Sequence, residues 1–99
     1  MAGAKPAGGE LMPGVVLYGT RFCPYCIAAR RLLQARGVQF EDIPVDRDPA
    51  LRRSIAERSG QSTVPQIWIG AHHVGGFTDL QALDRSGRLV ELLATVGTP

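Results

Sequence analysis

The sequence predicts an α/β fold in which a four-stranded mixed sheet is flanked by helices. Short apolar runs of strand type alternate with helical patterns in the order β-α-β-α-β-β-α-α. A strand–helix–strand unit implies two parallel strands joined by a right-handed crossover. Two later strands, separated by a Gly-Ala turn, indicate an antiparallel hairpin that completes a mixed sheet. We therefore expect helices on both faces of one small sheet.

The first strand and the first helix lie on either side of a short loop that holds a cysteine. Val15–Gly19 is an apolar run that ends at a glycine, as a short strand does. The helix is predicted to begin near Pro24, because proline is tolerated in a first helical turn. Gly37 is placed to end it as the residue just past the C-terminus. Apolar residues at helical spacing between these two points give the helix one buried face.

The middle of the chain predicts a second strand and a second helix. Residues 38–45 alternate apolar and polar side chains, which is typical of a half-buried strand. Asp48 is suited to cap the following helix, Pro49 to occupy its first position and Gly60 to end it.

The last third predicts the hairpin and two helices. Residues 65–70 and 72–76 form the two hairpin strands. Thr78 is expected to open the third helix, with Gln81 three residues later completing a capping box. Residues 88–97 continue as a final amphipathic helix.

Length and charge limit the classes of function. The chain has 99 residues, 44% of them hydrophobic, which suits one small domain with a real core. We expect a single domain over residues 14–99, preceded by a disordered tail, rich in Gly, Ala and Pro, at residues 1–13. The net charge is +2, and no basic run of the kind that marks a nucleic-acid surface is present. We expect a monomer without a nucleic-acid partner.

Hydropathy and the N-terminal residues predict a cytoplasmic protein that does not bind membranes. No window approaches the run of about 18 apolar residues that a membrane span needs. The N-terminal stretch lacks the apolar centre of a secretory signal. In the reducing cytosol, a close cysteine pair is more typical of catalysis or metal binding than of a structural bridge.

The only two cysteines of the chain stand in the short motif "CPYC". Cys23 is predicted to lie just before the first helix, where free N–H groups and the helix dipole favour a thiolate. Cys26 lies one turn inside the helix and faces back towards Cys23. The first cysteine is thus predicted to be the nucleophile and the second the resolving thiol. Arg21 can add positive charge nearby.

A zinc half-site or a structural disulfide is the alternative interpretation of the pair. Zinc in closed structural sites takes four protein ligands. Only His72 and His73 remain to complete such a set, and adjacent residues on a strand point to opposite faces. We therefore expect no metal site, and we expect both histidines to be ordinary strand or turn residues.

Three motifs in order extend the pattern beyond the cysteines. A Cys-x-x-Cys pair that follows a strand and opens a helix resembles the thioredoxin-like redox proteins. With "TVPQIWIG" and "GGFTDL" at the expected separations, residues 14–97 resemble the small dithiol class of glutaredoxins. The resemblance implies a thioredoxin-like fold and glutathione-dependent reduction of protein disulfides and glutathione–protein mixed disulfides. It also implies glutathione as co-substrate, no bound cofactor, and disulfide-containing or glutathionylated proteins as partners, ribonucleotide reductase being a family expectation.

The resemblance also implies where glutathione binds. A cis Val64–Pro65 bond would leave the Val64 N–H and C=O free to pair with a peptide-like ligand. Free N–H groups at the start of the third helix suit the γ-glutamyl carboxylate, and Asp79 suits its ammonium group. The full predicted glutathione site is Arg21, Tyr25, Arg52, Thr63, Val64, Pro65, Gly76, Thr78 and Asp79.

The chain departs from the family at Thr20, where many members carry a lysine for the glycine carboxylate of glutathione. Arg52, on the predicted second helix, is the first expected replacement and Arg21 is the second. A solvated surface charge is the alternative for each arginine.

The sequence leaves two alternative functions open. One is a thioredoxin-like reductase that does not use glutathione, against which the "TVP" and "GGFTD" motifs argue. The other is a module that carries an iron–sulfur cluster across a dimer. By the family resemblance, Pro24 disfavours cluster assembly.

Overall fold

The computed structural model describes residues 14–96, so the predicted tail at residues 1–13 lies outside the described residues, as do residues 97–99. The elements follow the predicted order β-α-β-α-β-β-α-α. They are β1 (Val15–Gly19), α1 (Pro24–Ala35), β2 (Glu41–Pro44), α2 (Pro49–Ser59), β3 (Gln66–Ile69), β4 (His72–Gly75), α3 (Phe77–Ser86) and α4 (Arg88–Thr95).

The four strands form one mixed sheet in the order β2-β1-β3-β4. Strand β1 runs parallel to β2, as a strand–helix–strand unit requires, and antiparallel to β3. Strands β3 and β4 form the predicted antiparallel hairpin. The expected four-stranded mixed sheet flanked by helices is confirmed.

Apolar side chains divide between the two faces of this sheet. Residues from β1, β3, α1, α3 and α4 form the main core on one face, and its fully buried members include Leu17, Leu33, Ile67, Leu80 and Leu89. Trp68 alternates with its neighbours on β3 and therefore points to the opposite face. There, the guanidinium of Arg58 on α2 lies 4.6 Å from the centre of its ring. Helices thus cover both faces.

The start and end of α2 confirm the prediction from the sequence. The side chain of Asp48 accepts a hydrogen bond of 3.0 Å from the backbone N–H of Leu51, and Pro49 is the first helical residue. Gly60 ends the helix with φ +74°, a left-handed conformation that favours glycine.

The second strand is shorter than predicted. It spans Glu41–Pro44 rather than residues 38–45. The backbone N–H of Val38 instead donates to the carbonyl of Leu33 at 3.0 Å, so this residue still belongs to the turn that ends α1. The apolar side chain of Val38 joins the core from that turn, which explains why the alternation extends beyond the paired strand.

The predicted capping box at Thr78 and Gln81 is wrong. Helix α3 begins at Phe77 with Gly76 as its N-cap, and the carboxylate of Asp79 accepts a hydrogen bond of 3.1 Å from the N–H of Gly76. The pair Gly76 and Asp79 therefore stands two residues earlier in the chain than the predicted pair Thr78 and Gln81. None of the helices within residues 14–96 combines the length and the hydrophobicity that crossing a membrane requires.

Candidate active site

The three sequence motifs meet at one end of the sheet. The sulfur of Cys23 lies 3.9 Å from the carbonyl oxygen of Val64. A Cβ atom on Gly76 would lie 3.5 Å from the carbonyl oxygen of Pro65, so the glycine pair borders the same loop. The ring of Tyr25 faces Phe77 at the start of α3, with 6.3 Å between ring centres. The loop before α1 (residues 20–23, the cysteine loop), the loop before β3 (residues 60–65, the proline loop) and the start of α3 therefore enclose one site.

Cys23 has the position and the chemistry of a nucleophile. It is the N-cap of α1, in an extended conformation, and it is partly exposed. Partial burial opposes ionisation, but hydrogen bonds from the backbone and thiol of Cys26 and from the backbone of Tyr25, together with the charge of Arg30, lower the pKa of Cys23 below its ordinary value. A thiolate is the reactive form of cysteine, so this residue is prepared to attack a disulfide.

Cys26 has the opposite environment. Its side chain is fully buried, and its sulfur accepts a hydrogen bond of 3.4 Å from the backbone N–H of Thr20. Burial raises the pKa of Cys26, and the neighbouring Cys23 adds to that effect. The sulfur also packs so closely on Gly19 that a Cβ atom there would approach it to 2.9 Å. A protonated, enclosed thiol behind the nucleophile fits the predicted resolving role.

Arg30 supplies the charge that the sequence analysis assigned to Arg21. Its Nη2 donates to the carbonyl of Thr20 at 3.0 Å, and its Nε donates to the carboxylate of Asp42 at 2.8 Å. These two bonds fix the guanidinium beside the cysteine loop, where its charge favours the Cys23 thiolate. Arg30 lies seven residues after Cys23, which is two helical turns, so helical spacing could have identified it.

Arg21 makes different contacts. Its backbone N–H lies 3.4 Å from the carboxylate of Asp46, and its guanidinium lies 5.9 Å from the centre of the Phe22 ring. Arg52 is exposed in the first half of α2. Within residues 14–96, neither arginine makes a salt bridge. Both side chains therefore remain available to an anion, and their role in the site stays a prediction.

The peptide bond between Val64 and Pro65 is cis, as the family resemblance implied. Pro65 is buried, Thr63 is exposed, and Val64 is intermediate with its carbonyl facing Cys23. The loop therefore places the backbone of Val64 beside the sulfur of Cys23.

A buried glutamine that the sequence analysis did not identify anchors this loop. Gln66 is fully buried, and its amide nitrogen donates to the carbonyl of Thr63 at 2.9 Å and to the side chain of Gln61 at 3.0 Å. Its amide oxygen pairs with Nε2 of His73 at 2.6 Å. His73 is thus bonded within the sheet. Gln66 lies on β3 and His73 on β4. The sequence alone does not give the register of these two strands, so it could not predict that the two side chains meet.

The glycine pair brings Asp79 against the backbone. Gly75 has φ +113°, and a Cβ atom there would collide with the carboxylate of Asp79. Thr78 and Asp79 are exposed in the first turn of α3. The predicted residues Gly76, Thr78 and Asp79 are therefore brought to the same rim as Tyr25.

Within residues 14–96, no group of three or more His, Cys, Asp or Glu side chains could hold a metal ion. Both cysteines are free thiols. An accessible thiol with a lowered pKa and, behind it, a buried thiol with a raised pKa are suited to thiol–disulfide exchange.

The fold and the cysteine pair define a thioredoxin-like thiol–disulfide oxidoreductase, and comparisons with known proteins specify the family. The glutaredoxin family model matches residues 15–74, and the chain belongs to the glutaredoxin family. It is 55% identical over 83 residues to a glutaredoxin of Pseudomonas aeruginosa, covering 84% of this chain and 99% of that one. It is 48% identical over 82 residues to glutaredoxin 3 of Escherichia coli K12, covering 83% and 99%.

A solved structure supports the same assignment. The fold matches the crystal structure of a buckwheat glutaredoxin–glutathione complex with a TM-score of 0.80 at 28% identity. The match covers 86% of this chain and 80% of the buckwheat chain.

Proposed function

We propose that the protein is a glutathione-dependent dithiol oxidoreductase of the cytoplasm that reduces protein disulfides and glutathione–protein mixed disulfides. The observation that carries this proposal is the position of Cys23, whose sulfur lies 3.9 Å from the carbonyl oxygen of Val64 and whose pKa is lowered by its surroundings. A related protein of the same fold has been solved as a glutathione complex, which supports glutathione as the co-substrate.

Glutathione would bind along the rim of this site in one orientation. The Val64 backbone would pair with the peptide groups of glutathione and so place its sulfur next to Cys23. The first turn of α3 would receive the γ-glutamyl end, with helix N–H groups on its carboxylate and Asp79 on its ammonium group. Tyr25 would flank the ligand, and Thr63 would border it. Arg52 first, and Arg21 second, would meet the glycine carboxylate.

Mixed disulfides would be reduced with Cys23 alone. The Cys23 thiolate attacks the glutathione sulfur of a glutathionylated protein, which forms a Cys23–glutathione disulfide and releases the protein thiolate. A second glutathione thiolate then attacks the glutathione sulfur of that disulfide. The products are oxidised glutathione and the Cys23 thiolate, and the expelled protein thiolate takes up a proton.

Protein disulfides would need both cysteines. Cys23 attacks one sulfur of the substrate disulfide, forms a mixed disulfide and releases the other sulfur as a thiolate. Cys26 loses its proton and attacks the sulfur of Cys23, which frees the reduced substrate and forms the Cys23–Cys26 bridge. Two glutathione molecules reopen that bridge and leave as oxidised glutathione. The raised pKa of Cys26 favours its protonated form before it acts.

A steady-state assay with a glutathione mixed disulfide and a coupled glutathione reductase tests the proposal. Cys23→Ser should lose activity on every disulfide substrate, because the attacking sulfur is absent. Cys26→Ser should keep deglutathionylation and lose most reduction of protein disulfides. If a folded Cys26→Ser protein also lost deglutathionylation, the single-cysteine route would be wrong.

The proposal includes no bound cofactor and a monomeric state, with disulfide-containing or glutathionylated proteins as partners and ribonucleotide reductase as one candidate. An absorption spectrum of fresh anaerobic protein tests the rival iron–sulfur role. A colourless protein that is active with glutathione supports the enzyme, whereas a brown protein with visible absorption bands supports the cluster carrier.

A further inference from the structure

A groove opens beside the active site between helices α1 and α3. Its volume is about 660 Å³. Its apolar lining comes from Pro24, Ile27, Ala28 and Leu32 of α1 and from Phe77 of α3. Pro24 follows the nucleophile directly in the chain, so one end of the groove lies next to the active site.

The two helices lie side by side and run in the same direction. Tyr25 and Phe77 are in ring contact near their first turns. Near their last turns, Arg36 just beyond α1 donates to both carboxylate oxygens of Asp84, at 2.7 and 2.9 Å. From Pro24 to Arg31 the groove follows α1 for about 10 Å, given the helical rise. That distance accommodates roughly three residues of an extended chain.

The charge of the groove is positive. Asp84 is the acidic residue in its lining, and the bidentate contact with Arg36 neutralises it. Arg31 and Arg85 also line the groove, both are exposed, and neither forms a salt bridge within the described range 14–96. A ligand in this groove therefore meets an apolar floor and the guanidinium groups of Arg31 and Arg85, the second of which also interacts electrostatically with Asp84.

We propose that this groove docks the polypeptide segment next to the reactive cysteine of a substrate protein, and that it favours segments that combine an apolar and an acidic side chain. The inference rests on the proposed thiol–disulfide exchange and adds a substrate preference to it. When the disulfide of a substrate protein approaches Cys23, the polypeptide next to that disulfide would lie beside Pro24 and enter the groove. Its apolar side chain would pack between Ile27 and Phe77, and its carboxylate would meet Arg31 and Arg85.

Three glutathionylated peptides that differ at one position test this preference. Each carries a leucine near the modified cysteine and, next to that leucine, a glutamate, a glutamine or a lysine. The wild-type protein should reduce the glutamate peptide with a kcat/KM about two- to tenfold above that of the lysine peptide, as expected for exposed ion pairs. This ratio should fall at high salt, because the two arginines are exposed.

A double variant connects the preference to the groove. Arg31→Gln combined with Arg85→Gln should bring the ratio close to one, with unchanged activity on a small mixed disulfide that lacks a polypeptide. Arg53→Gln is the matched control, because Arg53 is exposed on α2, away from α1 and α3. It should leave the ratio unchanged.

The outcomes separate this inference from the proposed function. Equal rates for all three peptides in the wild type, or a ratio that survives in the double variant, would overturn the docking proposal alone. A wild-type protein that reduces neither the peptides nor the small mixed disulfide would overturn the proposed function itself.

Discussion

At the scale of single residues, the two cysteines differ through their surroundings rather than their chemistry. Cys23 stands at the start of α1 with hydrogen-bond donors directed towards it, whereas Cys26 is enclosed. The first pKa is lowered and the second is raised. The order of attack and resolution follows from this difference, because only Cys23 is accessible and has a lowered pKa.

Arg30 provides the most direct residue-level prediction. Arg30→Gln should raise the pKa of Cys23, because the variant removes the nearby positive charge. Arg21→Gln should raise it less. The measurement is the ultraviolet absorbance of the thiolate, titrated against pH in the Cys26→Ser background so that one thiol is observed.

Asp42→Asn is the control for this titration. It removes the negative charge that faces Arg30 at 2.8 Å and keeps the positive charge of Arg30, so the pKa of Cys23 should not rise. Equal upward shifts in the Arg21 and Arg30 variants would show that the charge has been assigned to the wrong arginine.

A variant of Arg52 tests whether this arginine replaces the lysine that many family members carry at the position of Thr20. If Arg52 meets the glycine carboxylate, Arg52→Ala should raise the KM for glutathione a few-fold, which is the size expected for an exposed ion pair of about 0.2–1 kcal/mol. The effect should disappear at high salt, and the pKa of Cys23 should stay unchanged. The neighbouring Arg53→Ala serves as the control. Glutathione kinetics at two salt concentrations make the measurement, and an unchanged KM would remove Arg52 from the site.

At the scale of elements, capping residues and apolar spacing predicted most of the helix and strand boundaries. They failed where the boundary depends on contacts with residues outside the local segment. The cap at Asp48 with Pro49 was predictable because both residues act within one helical turn. The start of α3 was not, because Gly76 becomes the N-cap only when the preceding strand ends there and the Asp79 carboxylate turns back. The predicted strand at residues 38–45 was too long. Alternating apolar and polar residues indicate which side chains are buried, but they do not show which backbone groups pair with a neighbouring strand.

The proline loop shows the same limit. Its motif could be recognised from the sequence, but the buried Gln66 that holds it bonds both to Thr63 nearby and to His73 on the next strand. The sequence does not distinguish a buried glutamine from an exposed one, so the structural role of Gln66 becomes evident only from its hydrogen-bond partners. Such a residue is held in place by its hydrogen bonds, because leaving them unmade is costly.

We therefore predict that Gln66→Leu loosens the proline loop. The substitution keeps the approximate volume and removes the donor to the Thr63 carbonyl. The KM for glutathione should rise several-fold, while the free energy of unfolding should fall by about 1–3 kcal/mol, the usual cost of unpaired buried groups. Kinetics and urea unfolding measure the two effects.

His73→Ala is the comparison variant, since Gln66 then keeps its bonds to the loop. It should lower the stability and leave the KM close to that of the wild type. If both variants raised the KM equally, Gln66 would not act on the loop through Thr63.

At the scale of the whole molecule, the sheet brings together residues that the chain keeps far apart. Cys23 and Val64 are separated by 41 positions and yet face each other. The sequence motifs predicted this meeting through the family resemblance. The groove between α1 and α3 was not predicted, because it depends on how two helices pack and on the ion pair of Arg36 with Asp84.

The pH dependence of stability is a property of the whole reduced protein. The lowered pKa of Cys23 stabilises the fold above the pKa of an unfolded cysteine, and this contribution is lost as the pH falls through the folded value. The raised pKa of Cys26 acts in reverse: its contribution is present below the unfolded pKa and is lost as the pH rises through the folded value.

Urea unfolding of the reduced wild type and of Cys23→Ser across this pH range checks the sign. The stability of the wild type relative to Cys23→Ser should increase with pH between the folded and unfolded pKa values of Cys23. A difference that stayed constant or decreased over that interval would contradict the lowered pKa.

The central claim is that Cys23 takes up glutathione itself from a mixed disulfide. The most direct measurement mixes reduced Cys26→Ser protein with one equivalent of a glutathionylated peptide, quenches the reaction with acid and records the intact mass. We predict a Cys23–glutathione disulfide together with free peptide thiol, because the site should bind the glutathione half of the substrate beside Val64, Thr78 and Asp79. A Cys23–peptide disulfide together with free glutathione would contradict the account.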